Sequence, residues 1–299
     1  MEIITNQLVF FAFGIWGYVL GRTKLVKEEH TKLLSSLLVY MCMPCNVFET
    51  FSKHFNVEEI TSRYTFVLAG VAVVLFTSLI SIFLGKAITK DKYERCIYRY
   101  ATVIPNYGYL CYPLAKALYG DEFLLLIMLF TLAFIVYNYT VGFHSMLKMD
   151  TSLKNLLNPV TIGIILGAIF GIFHIPVPEF VYKITSTSAG CMAPISMLIV
   201  GVVISSYDIK DILCQRNAYI MTGLRLIVIP FVIGFAIKPF VSPELLRVVV
   251  LVSAMPCGSN TVAFPRLVNE NTKPGAAMVF ISNILVCATL YICLQVICS

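Results

Sequence analysis

Charge is what this chain has least of. Asp, Glu, Lys and Arg make up 13% of its 299 residues, against ~25% in ordinary soluble domains. Hydrophobic residues reach 59% and the mean hydropathy is +0.85. So few charges cannot coat a water-exposed surface, which excludes a soluble enzyme, a disordered chain and a collagen-like one. The net charge of +6 is scattered in short segments between apolar runs, so it forms no basic face interleaved with aromatics for nucleic acid. The motifs of membrane-embedded hydrolysis are missing as well: no His-Glu-x-x-His, no Gly-x-Gly-Asp and no Gly-x-Ser-x-Gly occurs. No enzyme, cofactor or metal centre is expected. The ten cysteines lie mostly inside apolar runs with no histidine at ligand spacing, where a free thiol packs as a small hydrophobe.

What the chain does have is long apolar runs. A spanning helix needs about 20 such residues, and ten runs qualify: 3–21, 31–52, 63–85, 97–119, 122–147, 157–175, 180–206, 217–237, 243–267 and 275–297. The first is not a cleavable signal by its flanks, since no Lys or Arg precedes Arg22. Basic residues orient such a chain, because they stay on the cytoplasmic side. Segments after odd-numbered spans hold Arg22, Lys24, Lys27, Lys32, Lys86, Lys90, Lys92, Arg95, Arg99, Lys148, Lys154, Lys210, Arg216, Arg266 and Lys273. Those after even-numbered spans hold only Lys53, Arg63, Lys116, Lys183, Lys238 and Arg247. The asymmetry predicts a multi-pass protein of the plasma (inner) membrane with both termini outside.

A charged break near 148–155 divides the ten spans into two fives. Pro44 and Pro194 stand 150 residues apart, Pro105 and Pro256 151, Pro113 and Pro265 152, and Lys116 and Arg266 150. One coincidence among 13 prolines is cheap; a run of them at one offset argues for a duplicated unit. An odd number of helices per unit turns the second copy upside down. The expected fold is therefore an all-α membrane protein of ten transmembrane helices, built as two inverted five-helix repeats, with the fourth and ninth helices broken and crossing at midplane. Inverted repeats with interrupted helices are the architecture of secondary transporters.

The breaks themselves are Ile104-Pro105-Asn106-Tyr107-Gly108 and Met255-Pro256-Cys257-Gly258-Ser259-Asn260. Each proline removes a backbone donor and clashes with the preceding turn. Freed backbone groups at that depth must face protein or a wet cavity. Beyond each break a half-helix starts at midplane with unpaired N–H groups and a positive dipole end, and inverted topology aims the two at one another. The other reading of each break is a simple proline kink, which is the favoured one for Pro44 and Pro194.

Asn106-Tyr107-Gly108-Tyr109-Leu110, followed by Tyr112-Pro113-Leu114 and Tyr119-Gly120, resembles the helix 4 signature of the auxin efflux carrier family. Met255-Pro256-Cys257-Gly258, Asn158-Pro159 and Pro194-Ile195-Ser196 are similar to further landmarks of that family, and the resemblance covers the whole chain. The short middle segment resembles that of prokaryotic members. The resemblance implies a scaffold of residues 1–55 and 156–207, a transport domain of residues 56–155 and 208–299, and elevator-like movement of small organic anions. It also implies substrate contacts from Asn106 and Asn138; Tyr107, Gly108, Cys257, Gly258, Ser259 and Asn260 of the two breaks are expected to share that site, with Pro105 and Pro256 as crossover hinges. Ser259 and Asn260 stand where apolar residues are usual, which favours a polar substrate such as a dicarboxylate over an aromatic one. A homodimer through the scaffold helices is expected. A sodium-coupled symporter and a non-transporting receptor stand as alternatives.

The remaining polar residues carry two readings each. Glu49 lies inside a span: an ion relay, or an interfacial carboxylate reaching outer water. Arg225 balances an anion or a polar partner, or snorkels to the headgroups. Asn138 bonds a neighbouring helix or contacts substrate. His144 and His174 are read as interfacial. The crossing segments offer no acid, which argues against obligate sodium coupling.

Overall fold

A computed structural model describes residues 2–55, 57–149 and 158–298. The charged break from residue 150 on, including Lys154, lies outside them, as do the side chains of Tyr109, Pro113 and Lys116. The main elements among the described residues are helices: α1 (Glu2–Arg22), α2 (Thr31–His54), α3 (Tyr64–Ile88), α4 (Lys92–Val103), α5 (107–119), α6 (Glu122–Met146), α7 (Pro159–Ile172), α8 (Glu179–Ser205), α9 (Arg216–Ile237), α10 (Pro243–Ser253), α11 (Asn260–Leu267) and α12 (Lys273–Cys298), with short helical turns at Glu28–His30, Val57–Ser62 and Ile209–Leu213. Six of them, α2, α3, α6, α8, α9 and α12, are long and apolar enough to cross a membrane. The fourth and ninth predicted spans are each divided, into α4 with α5 and α10 with α11, which leaves every piece too short to qualify alone.

Local sequence explains where the helices begin and bend. Asp91 caps α4 by accepting from the N–H groups of Tyr93 and Glu94, and Asn158 caps α7 by accepting from Val160 and Thr161. Pro159 and Pro243 occupy first-turn positions of α7 and α10, where a missing N–H costs nothing. Gly120, at φ +84° and ψ −176°, breaks the chain between α5 and α6 in a conformation close to glycine's alone.

Three prolines inside the helices follow a widened turn. A proline clashes with the carbonyl four residues earlier, which for Pro44, Pro113 and Pro230 belongs to Tyr40, Tyr109 and Leu226. Each of those residues sits in a π turn: Leu38–Cys42, Tyr107–Cys111 and Leu224–Val228. A fourth π turn, Asn138–Gly142, has no proline and packs Gly142 against the Tyr100 ring. Such turns gather at functional sites.

Glycine lets two helix pairs approach closely, as small residues do in membranes. On α1 and α8, a Cβ at Gly17 would stand 2.3 Å from the Leu198 carbonyl oxygen, and one at Gly201 2.1 Å from that of Gly14. On α7, Gly163, Gly167 and Gly171 face the backbone carbonyls of Pro44, Phe48 and Phe51 on α2 at 2.6–2.7 Å by the same measure. Elsewhere α3 lies against α4 and α6, and α9 against α10 and α12.

One spacing escapes the reading of the cysteines as isolated hydrophobes. Cys42 and Cys45 stand three residues apart on α2, a Cys-x-x-Cys pair of free thiols. Among the described residues no group of three His, Cys, Asp or Glu side chains converges to hold a metal ion.

Candidate functional site

The two broken helices meet. Pro105 and Cys257 form an antiparallel bridge, and the Asn106 N–H donates to the Pro256 carbonyl at 2.9 Å. Each proline lacks a donor of its own, so each break offers the other the groups it has left. On the far side of the second strand the Cys257 N–H donates to Ser282 Oγ of α12 at 3.1 Å. The crossing is thus a minimal two-strand ladder between α4/α5 and α10/α11.

Behind it sits a buried cation. Arg225, on the π turn of α9, is 1% exposed. Its Nη1 donates to the Thr102 carbonyl at 2.8 Å and its Nε to the Met255 carbonyl at 3.3 Å. These are the carbonyl ends of α4 and of the strand following α10, where helix dipoles leave negative partial charge. No carboxylate among the described residues pairs with it. The guanidinium therefore joins both first half-helices, and the snorkelling reading of Arg225 is overturned: its partners are at the crossing, not at the headgroups.

In front of the crossing lies a cavity of about 180 Å³. Pro105, Asn106, Tyr107 and Gly108 line it from the first break, Gly258, Ser259 and Asn260 from the second, and Asn138 from α6. Tyr112 and Tyr139 add an aromatic wall, and Asn46 and Thr50 of α2 with Ala189, Gly190, Met192 and Ala193 of α8 close it. None of the lining residues is ionisable as an acid or a base stronger than tyrosine.

The polar atoms around the cavity divide into bonded and unbonded ones. Tyr100 Oη donates to Asn138 Oδ1 at 2.6 Å and accepts from Asn260 Nδ2 at 3.0 Å, which ties α4, α6 and α11 together. Tyr100 itself stands edge-on to Phe264. Asn106 and Ser259 occupy the residue before α5 and the residue before α11, and both are favoured N-cap types. Neither side chain caps its helix. Asn106 Nδ2, Ser259 Oγ and Asn260 Oδ1 are buried with no hydrogen-bond partner. A forfeited cap costs ~0.5–2 kcal/mol and a buried unpaired polar atom ~1–3 kcal/mol. Two unused caps and three unpaired atoms around one cavity mark it as built for a polar guest.

The sequence model of a family described as membrane transport protein matches residues 3–153 and 140–294. The chain belongs to this family. It is a multi-pass membrane transporter, and the resemblance read from residues 104–120 to the auxin efflux carriers is borne out. It is also similar to an uncharacterized transporter of Methanocaldococcus jannaschii, 25% identical over 303 residues, which cover 95% of this chain and 94% of that one.

Other sequence expectations for this transporter meet the geometry unevenly. Cys257 and Pro256 do not line the cavity; both are spent on the strand ladder. Asn138 holds both of its readings, bonded to Tyr100 and facing the cavity. Glu49 does not reach the cavity and pairs with Lys53 at 2.8 Å, whose Nζ also donates to Tyr182 Oη. That supports the interfacial reading over the relay. His144 is 4% exposed with Nδ1 on the Thr140 carbonyl, so its interfacial reading is corrected; His174 is exposed. Composition reasoning missed Asn46, Thr50, Ala189, Gly190, Met192 and Ala193. The offset of Pro44 and Pro194 was their signal, since both flank these stretches.

Proposed function

We propose that this chain is a secondary transporter of a small organic anion, a carboxylate held in the cavity at the crossing. The observation that carries the reading is the pair of unused caps. Asn106 Nδ2 and Ser259 Oγ are two hydrogen-bond donors without partners, each at the N-terminal end of a half-helix. A carboxylate accepts from both side chains and sits at two positive dipole ends, each worth ~0.3–2 kcal/mol. The unpaired charge of Arg225 adds to the same field from behind. Among the described residues no acid lines the cavity to oppose an anion. At about 180 Å³ it is below the ~300–1,000 Å³ of drug-sized sites, which suits a short carboxylate better than an aromatic one.

The antiparallel sense of the Pro105–Cys257 bridge supports two inverted five-helix units. The glycine-mediated packing of α1 on α8 and of α7 on α2 supports a scaffold of residues 1–55 and 156–207. The rest, residues 56–155 and 208–299, moves as the transport domain, carrying the crossing past the wall made by α2 and α8. A thermal-shift screen on purified protein tests the reading, pairing small carboxylates with their neutral amides. Stabilisation by at least one carboxylate and not by its amide, lost in Asn106→Ala, supports it. Equal stabilisation by acid and amide contradicts it.

A further inference from the structure

A second cavity, about 360 Å³, lies away from the crossing between α1, α8 and α12. Its walls are apolar: Phe11 and Ile15 from α1, Met197, Val200 and Ile204 from α8, Phe280 from α12. Tyr18 of α1 and one amide interrupt them. Asn283 lines the cavity and is 1% exposed. Its Nδ2 is spent on the Val279 carbonyl of its own helix at 2.8 Å, and its Oδ1 has no partner. Asn283 is ten residues into α12, roughly 15 Å along it at 1.5 Å per residue, which is half of a hydrocarbon core about 30 Å thick. At that depth neither water nor acyl chain supplies a donor to an unpaired oxygen.

We propose that this cavity is a binding site for a neutral lipophile bearing one hydroxyl or N–H donor, which Asn283 Oδ1 accepts while the apolar body fills the space between α1, α8 and α12. The mostly apolar lining disfavours a charged ligand, and the unpaired amide oxygen selects a donor over a hydrocarbon. The site has a route to the crossing, because Ser282, the neighbouring residue, holds the Cys257 N–H of the strand ladder. It also spans the line between the proposed scaffold helices α1 and α8 and the proposed transport helix α12. An occupant there therefore wedges the moving surface and slows transport. That second consequence rests on the proposed function; the binding does not.

The test uses the whole protein in phosphatidylcholine nanodiscs, whose headgroup has no hydrogen-bond donor. The probe is a diazirine-bearing octanol, competed by unlabelled octanol or by its methyl ether. The expected result is photolabelling concentrated within residues 11–18, 197–204 and 279–283, competed at least tenfold better by the alcohol than by the ether. Asn283→Leu, which gives up only a bond within its own helix, should bring the alcohol down to the ether's level. Equal competition by alcohol and ether in the wild type overturns the proposal without need of the variant, as does labelling spread over the lipid-facing helices. Added diacylglycerol, a neutral lipid with one free hydroxyl, that competes assigns the natural hydroxyl to bilayer lipid; if it does not compete, the natural ligand is a free lipophile. Slowed carboxylate uptake at labelling concentrations supports the wedge, whereas a protein that moves no carboxylate yet labels as expected sinks the proposed function and leaves the site.

Discussion

The two breaks at the crossing share a backbone plan and differ in chemistry. Each runs from a helix end through proline to an uncapped helix start, and each lends the other a strand. The first break presents an amide donor, Asn106 Nδ2, with no tie to any neighbour through that atom. The second presents a hydroxyl and an amide oxygen, and its Asn260 is tethered through Nδ2 to Tyr100. Duplication explains the shared plan; the difference shows that the guest meets two unlike faces. One side is free to adjust to it, and the other is held in place by the Asn138–Tyr100–Asn260 chain.

The largest effect should come from the feature common to both breaks. Arg225→Met leaves the Thr102 and Met255 carbonyls buried without their charged donor, and each such bond is worth ~1.5–3 kcal/mol. A strong fall in the thermal unfolding midpoint in detergent is expected, with Arg225→Lys intermediate because an ammonium lacks the planar fork. An unchanged midpoint in Arg225→Met would mean that the two half-helices do not depend on the clamp. Next come the unlike faces. Asn106→Ala and Ser259→Ala remove buried atoms that hold nothing in the empty protein, so stability should hold or rise, by at most ~1–3 kcal/mol as the unpaired atom is lost. Carboxylate binding should weaken by ~1–3 kcal/mol in each. Loss of stability without loss of binding would reverse their roles. The smallest effect distinguishes the tethered side. Tyr100→Phe breaks two hydrogen bonds, at ~0.5–1.5 kcal/mol each, and should alter affinity less than Asn106→Ala; an equal loss would show both faces to be equally adjustable.

Much of this plan was legible in the sequence, and the limits were physical. Apolar runs marked the six long helices, because hydrophobic length and helix length coincide in a bilayer. Pro105 and Pro256 marked the breaks, because a proline's missing donor is a local fact. What stayed hidden was pairing across distance. Nothing near Arg225 in sequence names Thr102 or Met255 as its acceptors, so charge alone left it between snorkelling and balancing. Asn106 and Ser259 were read as substrate contacts, and only geometry shows that each stands before a half-helix without capping it. Geometry also says what the glycines of the breaks are for. Neither Gly108 nor Gly258 has positive φ, and a Cβ at Gly258 would come no nearer than 3.9 Å to the Pro105 carbonyl oxygen. Both glycines line the cavity, so they leave room for the guest rather than for the opposing backbone.

That distinction gives the most direct measurement. A side chain at Gly108 would have open space within 4 Å around its Cβ, so Gly108→Val should fold and fill the cavity. Uptake of the carboxylate found by screening is measured in proteoliposomes holding equal amounts of wild type and Gly108→Val. The account predicts saturable uptake by the wild type and none above background by the variant, with unfolding midpoints alike. Wild-type rates in Gly108→Val would contradict it, and substrate would then cross this protein somewhere other than the crossing of its broken helices.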